Sequence, residues 1–254
     1  MDSPAKIHAR ADAPVARLLA MHRRHPDRYP VLLETAARLP GQPAHSLLLA
    51  GPGERLVLRG DGRLEGPGRG DSFLTRLDHW WRASDAPAPG ALPFAGGWFL
   101  LLGYELAGEV EPVLRLPRDP QSLVALAWRV RAVACHDHGT GRTTLVAEPG
   151  HADLLEELQA DFAAADGEPL PMAGPLATRV TEDAPGLFLE AVRAALEHIA
   201  AGDVYQVNLA RRWRAQLAAG VGAADVYARL RQTNPGPFAG LADTGDLAVV
   251  SSSP

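Results

Sequence analysis

Several features that mark a particular class of protein are missing from this chain of 254 residues. Cys135 is the one cysteine, so no disulfide can form within the chain, which is typical of a protein kept in a reducing compartment. No apolar stretch reaches the roughly 18 residues that a membrane-spanning helix needs. Residues 1–14 carry charges where a signal peptide would have an apolar core. These absences predict a cytoplasmic protein with no membrane partner.

Signals for nucleic acids, nucleotides and metals are also missing. The net charge is −5 and the basic residues are scattered, which argues against a nucleic-acid partner. The patterns GxxxxGK with Ser or Thr, GxGxxG after a strand, HExxH and GxSxG do not occur. His136 and His138 alternate as metal ligands can, but no third ligand follows at a suitable spacing, so we predict no zinc site.

The most informative stretch that is present covers residues 188–238. Its first part predicts an amphipathic helix that stops at Gly202, because apolar residues recur at helical spacing at Phe188, Val192, Ala195, Leu196 and Ile199. After this glycine, apolar and polar residues alternate, which predicts a strand over 203–213 with Gln206 and Asn208 on its polar face. Two amides on one face can hold a polar ligand by donating and accepting hydrogen bonds. A half-exposed strand with a solvated face explains the same pattern.

The other periodic segments mix helical and strand character, so we predict an α+β protein. Helices are predicted at residues 15–22, 71–83, 151–165 and 223–232. Strands are predicted at residues 45–50, 56–58, 123–135, 143–147, 238–242 and 247–251, with an extended segment at 29–35 and a strand between the glycine pair and Glu105. The spacing of the helix at 71–83 places both Trp80 and Trp81 in the core.

Glycines give two further predictions. The sequence Gly51-Pro52-Gly53 predicts a hairpin between two short strands. The pair Gly96-Gly97 predicts that another backbone or a ligand approaches closely. The apolar run after that pair is short enough for a strand that is buried on both faces.

The chain divides into two regions of unequal size. Residues 167–185 are rich in glycine, proline and alanine and lack periodicity, so we predict a linker between a region at 1–166 and a second one at 186–254. The second region would hold one helix pair and about three strands, which is little for a core of its own. We therefore expect this region to be incomplete and the chain to be a fragment.

Several motifs together resemble the chorismate-utilising enzymes. The segment Ile199-Ala200-Ala201-Gly202-Asp203-Val204-Tyr205-Gln206-Val207-Asn208-Leu209 is similar to the hallmark of that family. Asn234-Pro235-Gly236-Pro237-Phe238 and Ser253-Pro254 follow in the family's order. Upstream, the segments at 32–35, 93–98 and 103–105 resemble its N-terminal region.

The resemblance implies a fold and an activity. The fold would be an α+β, two-layer antiparallel β-sandwich with surrounding helices, as in anthranilate synthase component I, and truncated here. Within the family, the compact region around Gly96 favours aminodeoxychorismate synthase component I. That enzyme makes 4-amino-4-deoxychorismate for folate synthesis, with ammonia from a glutamine amidotransferase subunit. The alternatives are anthranilate synthase component I, an isochorismate or salicylate synthase, and a non-catalytic tryptophan-binding module.

The resemblance also implies roles for individual residues. Asn208 matches an active-site asparagine near chorismate, and Gln206 would support substrate binding. Tryptophan, if it binds, would lie between two segments, formed by Leu33, Glu34 and Thr35 on one side and by Pro237 and Phe238 on the other. The catalytic lysine and glutamates, with the ligands of a Mg²⁺ cofactor, are expected beyond residue 254. The fragment alone is therefore expected to be inactive.

Overall fold

The computed structural model describes residues 5–9, 13–84, 92–167 and 174–252. Its helices are α1 (Pro14–Arg24), α2 (Phe73–Arg82), α3 (Ala107–Val110), α4 (Ala152–Ala164), α5 (Pro185–Ala201) and α6 (Ala223–Thr233). Its strands are β1 (Ala5–Ala9), β2 (Val31–Glu34), β3 (His45–Arg59), β4 (Leu64–Glu65), β5 (Gly97–Leu102), β6 (Leu123–Asp137), β7 (Arg142–Ala147), β8 (Ala177–Glu182), β9 (Trp213–Leu217), β10 (Ala239–Asp243) and β11 (Ala248–Ser251).

A nine-stranded antiparallel sheet is the centre of the fold. Its main order is β1-β7-β6-β3-β2-β10-β11, with β4 beside β3 and β5 beside β6. The 15-residue strand β6 pairs with β3 along one edge. Along its other edge it pairs first with β5 and then with β7. Because β6 is an almost unbroken apolar run, it is buried nearly throughout.

Both faces of the large sheet bury apolar side chains. Helices α1, α4 and α6 cover one face through residues such as Leu18, Leu158 and Tyr227, which pack on Leu32 and Leu48. The opposite face carries a smaller cluster that includes Val31, Leu49 and Val133 with the ring of Phe99 against it. Helix α2 closes a third cluster near one end of the sheet through Phe73 and Trp80.

The second sheet has two antiparallel strands, β8 and β9. Strand β8 lies within the segment 167–185 that was predicted to be a linker, and the division into two regions stays a prediction. Helix α5, which precedes β9, begins at Pro185, three residues before the predicted Phe188, and stops at Gly202 (φ 83°) as predicted, but it buries no side chain. Mixed helices and antiparallel sheets confirm the α+β fold class.

The predicted hairpin at Gly51-Pro52-Gly53 is wrong. Residues 45–59 form one strand, β3, that pairs with β6 on both sides of these residues. The register shifts between Pro52 and Arg55, and this irregularity accommodates a proline that has no N–H to donate to the ladder. A long partner strand thus overrides the local turn signal.

Two burial predictions were also wrong. Strand β5 is not buried on both faces, since Leu100 is 44% exposed and Leu102 is 52% exposed. Among the described strands β5 pairs with β6 alone, so it lies at an edge of the sheet. Trp80 is in the core, but Trp81 is 54% exposed because α2 turns only one face to the sheet.

A group does approach closely at Gly96-Gly97, as predicted, but it is the side chain of Glu148 and not a backbone or a ligand. Gly96 has φ 135°, and a Cβ there would lie 2.1 Å from Oε1 of Glu148. Both oxygens of Glu148 accept hydrogen bonds from the guanidinium of Arg129 at 2.7 Å, and both side chains are buried. The carboxylate therefore cannot move aside without breaking a buried ion pair.

Replacing Gly96 tests this packing. We expect Gly96→Ala to lower the free energy of unfolding by about 3 kcal/mol, because the new methyl group meets the ion pair and the backbone conformation disfavours a side chain. Gly62→Ala is the matched control, since Gly62 also has positive φ (87°) but a Cβ there would meet no neighbouring atom within 4 Å. It should cost only about 1 kcal/mol. Equal losses in urea unfolding would contradict the account.

Candidate functional site

The segment that carries the two amides is irregular, so the strand predicted over 203–213 is wrong. Residues 203–212 have no helix or strand assignment, and β9 begins only at Trp213. The apolar side chains of this segment are partly exposed, with Val204 at 39%, Val207 at 40% and Leu209 at 39%. Alternation predicted a strand, but a strand also needs a neighbour to pair with, and none of the described strands supplies one here.

The two predicted amides nevertheless lie together. Nε2 of Gln206 donates a hydrogen bond to Oδ1 of Asn208 at 3.2 Å, and both residues are exposed. This bond leaves the Nδ2 group of Asn208 as a donor and the Oε1 atom of Gln206 as an acceptor for a ligand. The end of α5 next to them is held by His198, whose Nδ1 lies 2.9 Å from Oδ2 of Asp203.

The residues predicted to bind tryptophan line one cavity of about 230 Å³. Strands β2 and β10 bring them together, because Leu33 is opposite Gly240 and Glu34 is opposite Ala239 in the antiparallel register. The lining consists of Leu33, Glu34, Thr35, His45, Leu47, Pro237, Phe238 and Ala239. All five predicted residues are included.

The carboxylate of Glu34 is hydrogen-bonded to other side chains of the protein. Arg231 donates to it from Nε at 2.9 Å and from Nη2 at 2.5 Å, and the hydroxyl of Tyr227 donates to Oε2 at 2.8 Å. The side chain of Glu34 is only 1% exposed. Burial and the charge of Glu34 raise the pKa of Tyr227, so this hydroxyl stays protonated as a donor. Glu34 therefore lines the cavity without offering it a free carboxylate.

The other wall of the cavity is fixed by the turn at residues 234–238. The carbonyl of Gly236 accepts hydrogen bonds from the N–H groups of Ala36 and Ala37, both at 3.0 Å. A Cβ on Gly236 would lie 1.8 Å from the carbonyl oxygen of Ser252, so glycine is required there. Nδ2 of Asn234 also donates to Oγ of Ser252 at 2.9 Å. The motif residues Ser253 and Pro254 lie outside the described residues.

The described side chains do not form a site that fits Mg²⁺. This ion prefers several oxygen ligands in octahedral geometry. The part of the chain that the structure describes contains no group of three or more His, Cys, Asp or Glu side chains arranged to hold a metal. We therefore assign no step to a metal ion on this chain, and magnesium ligands beyond residue 254 stay a prediction.

Cys135 is buried, and burial raises the pKa of its thiol to about 11.

The comparisons with known proteins identify the family. Residues 43–254 match the family described as chorismate binding enzyme. The chain belongs to this family. The resemblance found in the motifs is thereby confirmed for the family as a whole.

Relatives of this chorismate-binding chain carry two different names. Anthranilate synthase component 1 of Streptomyces coelicolor is 33% identical over 208 residues, covering 74% of this chain and 40% of that protein. Aminodeoxychorismate synthase of Streptomyces griseus is 34% identical over 201 residues, covering 72% of this chain and 26% of that protein. Thus the chain spans between about a quarter and two fifths of the length of these relatives.

A solved structure shows the same fold. Anthranilate synthase component I from Streptococcus pneumoniae superposes with a TM-score of 0.66 at 20% identity, over 86% of this chain and 51% of that chain. None of the helices in the described part of this family member has the length and apolar character that crossing a membrane requires.

Sequence reasoning missed Tyr227 and Arg231, the partners of Glu34. Their spacing of four residues puts them on one face of α6, and this pattern could have been noticed. The sequence does not show that this face of α6 contacts β2, because Glu34 and Arg231 are 197 positions apart.

Breaking the Glu34 pair should destabilise this family member. We expect Glu34→Gln to lower the free energy of unfolding by about 3 kcal/mol, because the largely buried Arg231 loses its counter-charge. Asp78→Asn is the control, since it removes the partner of Arg82 from a pair whose side chains are 69% and 54% exposed. That change should cost about 0.5 kcal/mol or less. A loss for Glu34→Gln as small as the control's would contradict the account.

Proposed function

We propose that this chain belongs to an aminodeoxychorismate synthase component I. The reaction replaces the 4-hydroxyl group of chorismate with an amino group from ammonia, and water leaves. The ammonia would come from a glutamine amidotransferase subunit, and the product would supply 4-aminobenzoate for folate synthesis. Family membership supports the substrate class, and the likeness to the Streptomyces griseus protein supports the branch.

The observation that carries the choice of branch is the engagement of Glu34. A free amino acid that acts as a feedback inhibitor has an ammonium group, and a buried ammonium needs an anionic partner. The carboxylate of Glu34 is already bound by Arg231 and Tyr227. The other residues around the cavity are apolar, apart from Thr35 and His45. This cavity is therefore poorly suited to tight, regulatory binding of tryptophan, which favours the folate branch.

The walls of the same cavity suit an aromatic ring. Leu33, Pro237 and Phe238 offer apolar surface, and Phe238 is 67% exposed. The hydroxyl of Thr35 lies 3.4 Å from the backbone N–H of His45 and can still reach a polar ligand group. We propose that any tryptophan that these walls hold binds weakly and does not inhibit the reaction.

Asn208 and Gln206 are proposed to contact chorismate. Their mutual hydrogen bond fixes the direction of both amides, and an amide binds a hydroxyl or carboxylate group without a change in its own charge. Their exposure leaves them accessible to a substrate. Anthranilate synthase component I is the second candidate, favoured by the 33% identity to the Streptomyces coelicolor protein.

The product identifies the branch. The gene product that carries this chain is incubated with chorismate, ammonium and Mg²⁺, and the products are identified by mass spectrometry. We expect 4-amino-4-deoxychorismate, at a rate that added tryptophan does not reduce. If the product is anthranilate and tryptophan reduces the rate, the result would support anthranilate synthase component I, the second candidate. Absence of any aminated product would refute the proposed activity.

The amide of Asn208 is tested in the same assay. We expect Asn208→Ala to lower kcat/KM about 100-fold, the usual order for the loss of a hydrogen-bond donor that acts on the reacting molecule. Gln216→Ala is the matched control, because Gln216 is another exposed amide, located on β9, and should leave the rate unchanged. Equal rates for the two variants would remove Asn208 from the proposed site.

A further inference from the structure

A second cavity, of about 410 Å³, lies apart from both sites described above. It is lined by Ala13, Pro14, Val15, Ala16, Arg38, His136, His138, Gly141 and Arg231, and we refer to it as the basic cavity. None of these lining residues is acidic. The family motifs and the proposed reaction leave Arg38, His136 and His138 without a role.

No described carboxylate neutralises the charge of Arg38. Arg231 is neutralised by Glu34, but among the described residues Arg38 forms no ion pair with a carboxylate. Its Nη2 lies 3.5 Å from Nδ1 of His138, a long contact that leaves most of the guanidinium donors available. Within the described ranges, the basic cavity therefore has one positive charge, that of Arg38, that no carboxylate pairs with.

Two histidines next to Arg38 are held in fixed orientations. Nε2 of His138 lies 2.8 Å from Oγ of Ser46, and Nδ1 of His136 lies 3.0 Å from Oγ1 of Thr143. Their rings meet edge to face, with centroids 4.8 Å apart. His136 is only 4% exposed. The bond to Thr143 leaves Nε2 of His136 to meet a ligand, while Nδ1 of His138 faces Arg38, so the three groups are arranged in advance.

The first turn of α1 adds to the positive potential. Ala13 precedes the helix and has no side chain that can cap it, and the first turn contains no acidic residue. Pro14 has no N–H, but the N–H groups of Val15 and Ala16 and the helix dipole favour a negative charge nearby. This end of α1 lines the same cavity as the guanidinium and the two imidazoles.

We propose that the basic cavity binds a small oxyanion, a carboxylate or a phosphate, through Arg38, His136 and His138. This is a second binding site, separate from chorismate and from the cavity at Leu33 and Phe238. Charge-assisted hydrogen bonds from a guanidinium and from imidazoles are the usual means by which proteins hold such anions. The proposal does not depend on which branch of the family the chain serves.

Binding should strengthen as the pH falls. Burial lowers the pKa of His138, and the positive charges of His136, Arg38 and His45 lower it further, while Glu34 opposes them. For His136, burial lowers the pKa, Arg38 and His45 act in the same direction, and Asp137 opposes them. Arg231 also faces the cavity. A bound anion would raise both pKa values, so binding takes up protons and affinity rises from pH 8 towards pH 6.

Inorganic phosphate and succinate serve as probes. We expect either anion to shift the imidazole NMR signals of His136 and His138, and titration calorimetry should show tighter binding at pH 6 than at pH 8. The tighter probe assigns the ligand class. Arg38→Met should weaken binding about tenfold or more, since a hydrogen bond to a charged group is lost. Arg38→Lys, which keeps the charge, should restore part of the affinity.

Arg63→Met is the matched control, because Arg63 is an exposed arginine, paired with Glu65, that does not line the cavity. It should leave the affinity unchanged. The proposal is overturned if neither probe shifts the two histidine signals. It is also overturned if Arg63→Met weakens binding as much as Arg38→Met, since the effect would then be one of overall charge.

Discussion

The buried pair between Glu34 and Arg231 connects the two cavities of this molecule. It joins residues that are 197 positions apart, and Tyr227 completes the set of donors to the same carboxylate. Glu34 belongs to β2, whose neighbours line the cavity at Leu33 and Phe238, while Arg231 lines the basic cavity. Because a buried carboxylate without its partner is costly, the pair fixes how β2 and α6 meet. Both cavities depend on that contact.

Several family motifs are explained by packing. Gly96 leaves room for the buried Glu148, and Gly236 leaves room for the backbone of Ser252. Glycine is required at these positions because a side chain would collide with neighbouring atoms. The amides of Gln206 and Asn208 belong to a different kind of motif, since they are exposed and packing does not explain them. The proposed role in binding chorismate would give these amides a function that the fold alone does not.

The sequence predicted the elements whose cause is local. Helices α2, α4, α5 and α6 follow from apolar spacing, and Gly202 ends α5 as expected. Family resemblance grouped Leu33 with Phe238, and the structure places both at one cavity. Predictions were wrong where a partner that is distant in sequence decides the local structure. Pairing with β6 keeps residues 45–59 as the single strand β3, and residues 203–212 are irregular because no described strand pairs with them. The basic cavity could not be predicted, because α1, residue 38 and the β6–β7 turn meet only in the folded chain.

The central claim is that the ion pair between Glu34 and Arg231 holds β2 against α6, β10 and β11. Amide hydrogen exchange, compared between the wild type and Glu34→Gln, tests this claim. If the pair does so, the amides of β2, α6 and β10 should all exchange faster in the variant, while those of β5 and the first half of β6 keep their protection. Faster exchange confined to α6, or no change in β2 and β10, would show that the sheet pairing alone holds these elements and would contradict the account.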